Sequence, residues 1–235
     1  MLAWMRFALF NLFRNRRRSL YAIIIVAVGF AGINIFGGFT KYIFSNLRES
    51  YIYTMGSGHL QIAKQRETLI PDTSSNPLDT LLSPEDISMI RKAIMEIGDT
   101  IMIYQTMYLS GLISNGDIST IFVSLAAVPS EFYAVQGKAS GMLSRLEYFD
   151  GEKLNDDFSG GIGIGRGLAN KLNRKLGATV SLLVPTVQGH INTMDAKIVQ
   201  FSDTTQELLD DKLVLMPMSL AQALYMFEGA GRVHV

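Results

Sequence analysis

Glycines between residues 160 and 167 have the spacing most suggestive of chemistry, because a glycine-rich turn lets backbone amides approach a phosphate at a helix start. The dinucleotide-binding pattern requires Gly or Ala at the sixth position of its frame. In the three frames that begin at Gly161, Gly163 and Gly165, that position holds Arg166, Leu168 and Asn170. We therefore predict a tight strand-to-helix turn here, and no nucleotide site.

A second glycine-containing stretch, VQGKA at 135–139, lacks the pattern of a phosphate-binding loop. Phe132 and Ala139 stand where that loop needs its leading Gly and its Ser or Thr. No G-x-S-x-G nucleophile motif occurs. The chain has no Cys, which excludes disulfides and thiolate chemistry.

The remaining candidate ligands and acids do not form a recognisable set. The three histidines, His59, His190 and His234, are far apart in sequence and have no metal-ligand spacing. The acidic pairs 156–157 and 210–211 lie in turn-like stretches, where solvated charge is the usual interpretation, although paired carboxylates for hydrolysis stay open. We therefore predict no enzyme activity, no metal and no cofactor, with an anchored hydrolase as the least supported alternative.

Charge is distributed unevenly along the chain. Lys plus Arg and Asp plus Glu are 21 each, but residues 1–18 contain five arginines and no acid, which leaves 16 bases against 21 acids in the remainder. A nucleic-acid-binding protein would carry a basic stripe across its folded part. A basic tip before an acidic body indicates a membrane lipid surface and no nucleic-acid partner.

Residues 19–40 predict a transmembrane helix. They include no charged residue, and 22 residues at about 1.5 Å each span roughly 33 Å, the thickness of a bilayer core. A buried helix of a soluble protein rarely has so long an uncharged stretch, and a signal peptide would have a shorter one with an A-x-A-like site, which is absent. We expect the span to be retained.

The flanking charges predict the orientation of this span. Arg14, Arg16, Arg17 and Arg18 precede it, and no comparable cluster follows Lys41. Because positively charged flanks stay in the cytoplasm, we expect the N-terminus inside and the main domain outside. Residues 1–18 would form a cytoplasmic or interfacial basic segment, with a short helix along the headgroups that turns at position 15.

One face of the span is lined by small residues and an amide. Ala27, Ala31, Asn34 and Gly38 lie within about 60° of each other on a 3.6-residue helix. Such a face predicts packing against other transmembrane helices, with a chance arrangement as the alternative.

The stretch after the span predicts a stalk helix over 41–57 that ends at Gly56 or Gly58. A first strand should follow over 58–64. Residues 83–98 have the signals of a helix: Ser83 as cap, Pro84 at the first position, an apolar face every three or four residues, and Gly98 at the end.

Two β-rich runs, 101–114 and 117–128, are joined by Asn115-Gly116 and predict a hairpin. A two-residue loop at those positions would place Leu109 opposite Phe122 and Tyr108 opposite Val123. Because both faces of this hairpin carry apolar residues, a helix should cover one face and another layer part of the other.

The rest of the chain predicts a domain of mixed type over 58–235. Residues 130–160 would form a small subdomain with a short helix at 142–146. The glycine motif then places a turn at Gly165 and Gly167, a helix through Leu168 and Ala169, and a stop at Gly177. Strands at 196–201 and 212–216 and a helix from Ser219 complete an α+β fold.

This order of segments resembles the FtsX-like permease family of ABC transporters, the group containing MacB and the lipoprotein-releasing permeases LolC and LolE. Four segments carry the resemblance: NLFRNRRRSL before the span, GSGHLQI at 56–62, GIGIGRGLANKLNRKLGATVSLLVP at 161–185 and KLVLMPMSLAQAL at 212–224.

The resemblance implies a bacterial inner-membrane permease with a MacB-like periplasmic core domain, which works by mechanotransmission. A cytoplasmic ABC ATPase would supply the ATP hydrolysis, and a second permease copy or a paralogue would complete the transporter. The cargo would be a lipoprotein or another amphipathic molecule. The family has four spans, so this one-span chain would be a fragment or a split form. A single-pass anchored binding or sensor module is the alternative.

Overall fold

The structure, a computed structural model, describes residues 4–6, 10, 16–54, 56–64, 80–98, 102–138, 149–202 and 207–235. The chain divides into two compact units, Met1–Arg48 and Glu49–Val235. Residues 4–6 and 10, within the expected interfacial helix, are helical. The expected turn at position 15 and the side chain of Arg14 lie outside the described residues.

The predicted span lies inside one long helix, α1 (Arg16–Glu49), which runs directly into a π-helical turn (Ser50–Thr54). The span interior has no proline, and two of its polar side chains bond their own helix. Asn34 Nδ2 donates to the carbonyl of Phe30 at 2.7 Å, and Thr40 Oγ1 donates to that of Phe36 at 2.9 Å. By length and composition this helix could cross a membrane, and its most apolar part is not buried.

The predicted helix after the cap at Ser83 is confirmed as α2 (Pro84–Ile97). The Asp86 amide donates to Ser83 Oγ at 3.2 Å, and the Ser83 amide donates to Asp86 Oδ2 at 2.9 Å, which makes a reciprocal capping box. Hydrogen bonds from Ser83 hold the pKa of Asp86 below its usual value. Gly98 ends the helix with φ +88°, and Ile97, the last residue of the helix, is exposed.

Nine strands form a single sheet within the described residues. They are β1 (Gln61–Ile62), β2 (Tyr104–Ser114), β3 (Ser119–Ala127), β4 (Phe149–Gly151), β5 (Gly161–Gly165), β6 (Thr179–Pro185), β7 (Ile191–Ser202), β8 (Leu213–Pro217) and β9 (Arg232–His234). The pairings β2–β3–β8–β5–β7–β6–β2 close into a ring of six strands, and β1, β9 and β4 extend it.

The hairpin formed by β2 and β3 is confirmed, but its predicted register is wrong by two residues. Leu109 pairs with Ser124, and Tyr108 pairs with Leu125. The turn residues are Gly116 and Asp117, because the Asn115 amide bonds the carbonyl of residue 118 at 3.1 Å. Glycine at the first central position, here with φ +98°, is the signature of a type II′ turn.

The ring encloses the core of the domain. Inward-facing strand residues alternate with outward ones, as a sheet with one buried face requires. Strand side chains in this core with at most 2% exposure include Leu109, Ile113, Phe122, Ile162, Ile164, Leu182, Ile198 and Val214. The final helix, α6 (Met218–Tyr225), contacts five strands of the ring and buries Leu220, Ala221 and Leu224.

Three short helices complete the described part of the domain: α3 (Pro129–Gln136), α4 (Arg166–Lys171) and α5 (Glu207–Asp210). Sequence reasoning missed α3, which begins with Pro129 at its first turn. The helix expected at 142–146 lies outside the described residues. An apolar N-terminal helix followed by a mixed domain confirms the predicted α+β class.

Candidate functional site

The span carries the predicted packing face on its exposed surface. Ala27, Ala31, Asn34 and Gly38 are all exposed along α1, and a Cβ added at Gly38 would meet nothing within 4 Å. Asn34 donates one hydrogen bond to its own helix, which offsets part of the cost of placing its amide in lipid. The face is open for a second helix, and its role remains a prediction.

The three arginines described at the helix start, Arg16, Arg17 and Arg18, lie in its first turn and are exposed. Cations at a helix N-terminus are unfavourable with respect to the helix dipole. Their placement is therefore not explained by helix stability, and their effect on membrane orientation stays a prediction.

The helix end connects to the domain through residues 56–58, which we call the linker. Gly56 and Gly58 have φ of +63° and +64°, a conformation that glycine adopts without steric cost. The Ser57 amide donates to the carbonyl of Tyr51 at 3.3 Å, and the Gly58 amide donates to that of Ile52 at 3.1 Å. These bonds satisfy carbonyls that a helix end otherwise leaves unpaired.

The carbonyls of the linker point the other way, into side chains of the sheet. The Tyr104 hydroxyl donates a short hydrogen bond to the carbonyl of Gly56. His234 Nδ1 lies 2.9 Å from the carbonyl oxygen of Ser57. The linker is therefore bonded through its amides to the last turns of the helix and through its carbonyls to β2 and β9.

Tyr104, Thr106 and His234 form what we call the histidine cluster. The rings of Tyr104 and His234 stack at 4.8 Å with an interplanar angle of 14°, and Thr106 Oγ1 lies 2.7 Å from His234 Nε2. All three residues are at most 2% exposed. Since a carbonyl can only accept, Nδ1 must carry the proton that reaches Ser57, and neutral Nε2 accepts from the Thr106 hydroxyl.

Burial governs the protonation of this cluster. Desolvation lowers the pKa of His234 below its ordinary value of 6.5, and the nearby Arg232 charge lowers it further, while the bond to Ser57 acts in the opposite direction. Desolvation raises the pKa of Tyr104 above its usual range. Both side chains are therefore neutral at neutral pH, and each remains a hydrogen-bond donor to the linker.

Backbone pairing extends the same attachment. The amides of His59 and Leu60 donate to the carbonyl of Val235 at 2.7 and 3.1 Å, and Gln61 pairs with His234 as β1 joins β9. A Cβ at Gly58 would lie 2.9 Å from the Val235 carbonyl oxygen, and one at Gly56 would lie 2.8 Å from the Phe132 ring. Only glycine permits these two approaches.

The glycine motif at 165–167 is a strand-to-helix turn filled by the chain itself. Gly165 is the N-cap of α4, and the Gly167 amide donates to Asp210 Oδ2 at 2.5 Å. An added Cβ at either glycine would overlap atoms of Asp210 or Asp211. An internal carboxylate thus occupies the amide that a nucleotide phosphate would need.

Two expectations around this motif need correction. The pair Asp210-Asp211 is not simply solvated, since Asp210 caps α4 and Asp211 pairs with Lys171 at 2.7 Å. The helix contains Leu168 and Ala169, both buried, but it ends at Lys171 and not at Gly177. Gly177, with φ +84°, instead begins the approach to β6.

The histidines do not converge. His59 and His190 are exposed, whereas His234 is buried in its own cluster. Among the described residues, no group of three His, Cys, Asp or Glu side chains is placed to hold a metal ion. Sequence reasoning missed the role of His234, for which no local signal exists. The closely spaced Gly56 and Gly58 were the sequence feature that indicated the linker.

No protein-family model matches the chain, and no curated protein matches it. Two solved structures are similar to it. The first is the extracellular domain of the noncanonic ABC-type transporter YknZ from Gram-positive bacteria, with 12% identity and a TM-score of 0.44 over 65% of this chain and 71% of that one. The second is the periplasmic region of MacB from Actinobacillus actinomycetemcomitans, with 14% identity and a TM-score of 0.42 over 61% of this chain and 62% of that one. Both similarities are weak, and the functional assignment therefore rests on the chain's own residues.

Proposed function

We propose that this chain is the N-terminal part of an ABC transporter permease subunit, in which a cytoplasmic ATPase moves an extracytoplasmic domain through the membrane helix. The observation that carries the proposal is the double attachment of the linker. Its amides bond the helix end and its carbonyls bond Tyr104 and His234. A displacement of the helix end would therefore move the domain with it.

The strength of this attachment follows from the burial of its donors. Leaving one buried polar partner unsatisfied costs about 1–3 kcal/mol, and the linker has two such bonds to the sheet in addition to the backbone pairs of β1 with β9. A movement of the helix end that requires less free energy than breaking these bonds would be transmitted to the sheet with the bonds intact. The attachment suits a mechanical role better than it suits a flexible tether, which would leave the linker backbone in water.

The partners and location complete the proposal. The arginines at 16–18 would keep the N-terminus in the cytoplasm of a bacterial cell, with the span in the inner membrane and the domain in the periplasm or outside the cell. The face formed by Ala27, Ala31, Asn34 and Gly38 would receive another span, from a second permease copy or a paralogue. ATP would act only at the partner ATPase, and the cargo would be a lipoprotein or another amphipathic molecule.

Reconstitution of the full permease subunit, of which this chain would be the N-terminal part, with its proposed ABC ATPase partner tests the coupling. A fluorescent donor is attached at Met89→Cys, an exposed site in a chain without cysteine, and acceptors are placed on lipid headgroups. We expect ATP to change the energy transfer only when the ATPase is present. Failure of the two proteins to associate, or association with unchanged transfer under ATP turnover, would contradict the proposal.

Tyr104→Phe provides the matched variant in that assay. It removes the donor to the Gly56 carbonyl and keeps the ring that stacks on His234. We expect a smaller ATP-dependent change while the partner continues to hydrolyse ATP. An undiminished change would show that this bond does not transmit the motion.

A single-pass anchored binding or sensor module is the second candidate. One observation favours it: the six-strand ring closes within the described residues, and β9 pairs on both sides, with β1 and β2. Such a domain would be self-sufficient and would respond to a ligand and not to ATP. Energy transfer that does not depend on the ATPase but changes with an extracytoplasmic ligand would favour the binding or sensor module.

A further inference from the structure

We propose that the histidine cluster is an acid-sensitive latch, in which protonation of His234 releases the linker from the sheet. This inference deepens the proposed function and depends on it only for the side of the membrane whose pH the latch would sense. It stands on geometry: one imidazole ring, at 1% exposure, bonds the linker through Nδ1 and the sheet through Nε2.

Burial makes the latched arrangement more stable with a neutral ring than with a charged one. Nδ1–H donates to the Ser57 carbonyl, so Nε2 is the only site for an added proton, and it already accepts from Thr106 Oγ1 at 2.7 Å. A proton on Nε2 would force the Thr106 hydroxyl to turn and accept. It would also place a full charge on a buried ring, which is unfavourable without a counter-charge.

Among the residues that the structure describes, the charged group that acts on His234 is Arg232, which supplies no counter-charge. Arg232 on its own strand is cationic and lies 5.4 Å from the centre of the Tyr108 ring. Tyr104 on β2 stacks on the imidazole, and its raised pKa keeps the phenol neutral. Beyond the linker, Tyr53 and His59 pack edge to face at 5.9 Å. Repulsion from Arg232 and desolvation both lower the pKa of His234.

The linker supplies the hinge for opening. Gly56 and Gly58 have φ values that can change readily in glycine, and they flank Ser57, whose carbonyl accepts the hydrogen bond from His234. When the hydrogen bond between His234 and Ser57 breaks and the linker moves away, the imidazole is exposed to water and binds a proton at its ordinary pKa. Acid therefore shifts the population from latched to open, by up to about tenfold per pH unit from 6.5 down to the lowered pKa.

Distance measurement on the full chain in lipid nanodiscs tests this latch. Nitroxides are attached at Tyr51→Cys on the helix end and Met89→Cys on α2, both exposed. We expect one distance population at pH 8, and a second, broader population that grows reversibly as the pH falls below 6.5. A distribution that does not change between about pH 8 and about pH 5 would overturn the inference.

Histidine variants assign the response. His234→Gln keeps an amide donor and an acceptor but cannot titrate in this range, so its distance distribution should not change with pH. His190→Gln, exposed and outside the cluster, should respond as the unmodified chain does. A pH response that survives His234→Gln, or that disappears in His59→Gln, would overturn the assignment.

A measurement on the unmodified chain covers the case in which His234→Gln does not fold. Nitrogen NMR of the histidine rings should show the Nδ1–H tautomer for His234 and a titration below that of a free imidazole. The Nε2–H tautomer, or an ordinary titration, would refute the latch. An acid response without ATP coupling overturns only the transport proposal, and ATP coupling without an acid response overturns only the latch.

Discussion

Replacement of Gly58 by alanine tests the attachment of the linker most sharply, because the same change can be made at a matched glycine elsewhere. Gly58 has φ +64°, and an added Cβ would lie 2.9 Å from the Val235 carbonyl oxygen and 3.2 Å from its nitrogen. Gly98 has φ +88°, and an added Cβ there would meet nothing within 4 Å.

The expected magnitude is the difference between the two variants. Both carry the cost of a left-handed alanine, about 1–2 kcal/mol, which largely cancels. Only Gly58→Ala must also push the linker away from β9, and overpacking of this kind costs about 1–3 kcal/mol. For a domain of this size, that excess lowers the melting temperature by about 2–12 °C relative to Gly98→Ala.

Calorimetry of the full chain in detergent micelles would measure this difference. The contact is with backbone atoms, which cannot turn aside as a flexible side chain can, so little relief is available at Gly58. Equal melting temperatures for the two variants would mean that the linker does not pack against β9. That result would refute the reasoning on which the coupling depends.

Three further outcomes follow from the same contacts. Tyr104→Phe should lower stability by about 1–3 kcal/mol, whereas Tyr51→Phe, at an exposed position, should leave it nearly unchanged; equal melts would contradict the buried bond. Gly165→Ala should destabilise the domain by about 1–3 kcal/mol or more, because its Cβ would overlap the Asp210 carbonyl. Gly160→Ala is the control in the same melts, since a Cβ added there would lie 3.7 Å from its nearest neighbour, the Phe158 ring, and should be tolerated. Because the pKa of folded His234 lies below 6.5, the unfolded chain binds a proton at a higher pH than the folded chain does. The contribution of His234 to stability is therefore complete above about pH 6.5 and falls as the pH decreases toward the lowered pKa. Melting curves recorded over this pH range should show the loss in the unmodified chain and a smaller loss in His234→Gln.

Local signals predicted the helices and turns whose causes are local. The bounds of α2 follow from Ser83, Pro84 and Gly98, which lie within sixteen residues and act through neighbouring backbone groups. The span follows from the uncharged run after Arg18 in the same way. Chemistry between adjacent residues is enough to define such elements.

The hairpin shows where local signals become ambiguous. Asn115-Gly116 and Gly116-Asp117 are both acceptable two-residue turns, and a shift of one residue in the loop changes every strand pair by two. The Asn115 side chain decides the outcome, since its Oδ1 accepts from the amides of Asp117 and Ile118 at 2.8 and 2.7 Å. The buried face is preserved because a shift of two leaves each side chain on its side of the sheet.

The histidine cluster could not be predicted because its members are distant in sequence. His234 lies 128 residues from Thr106 and 177 residues from Ser57, and only the closure of β9 between β1 and β2 brings them together. For the same reason, the carboxylate that occupies the glycine turn was not foreseen, since Asp210 is 43 residues from Gly167. The glycines revealed that something approaches closely, but not which group.

Cysteine accessibility tests the central claim, that α1 crosses the membrane with its arginines inside and its domain outside. The chain has no cysteine, so single sites at Trp4 and at Asp117, both exposed, report the two ends. In spheroplasts, a membrane-impermeant maleimide should label Asp117→Cys at once and Trp4→Cys only after permeabilisation. Replacement of Arg16, Arg17 and Arg18 by Glu should weaken or invert this pattern, whereas replacement by Lys should preserve it. Labelling of Trp4→Cys from outside, or protection of Asp117→Cys in intact spheroplasts, would contradict the account.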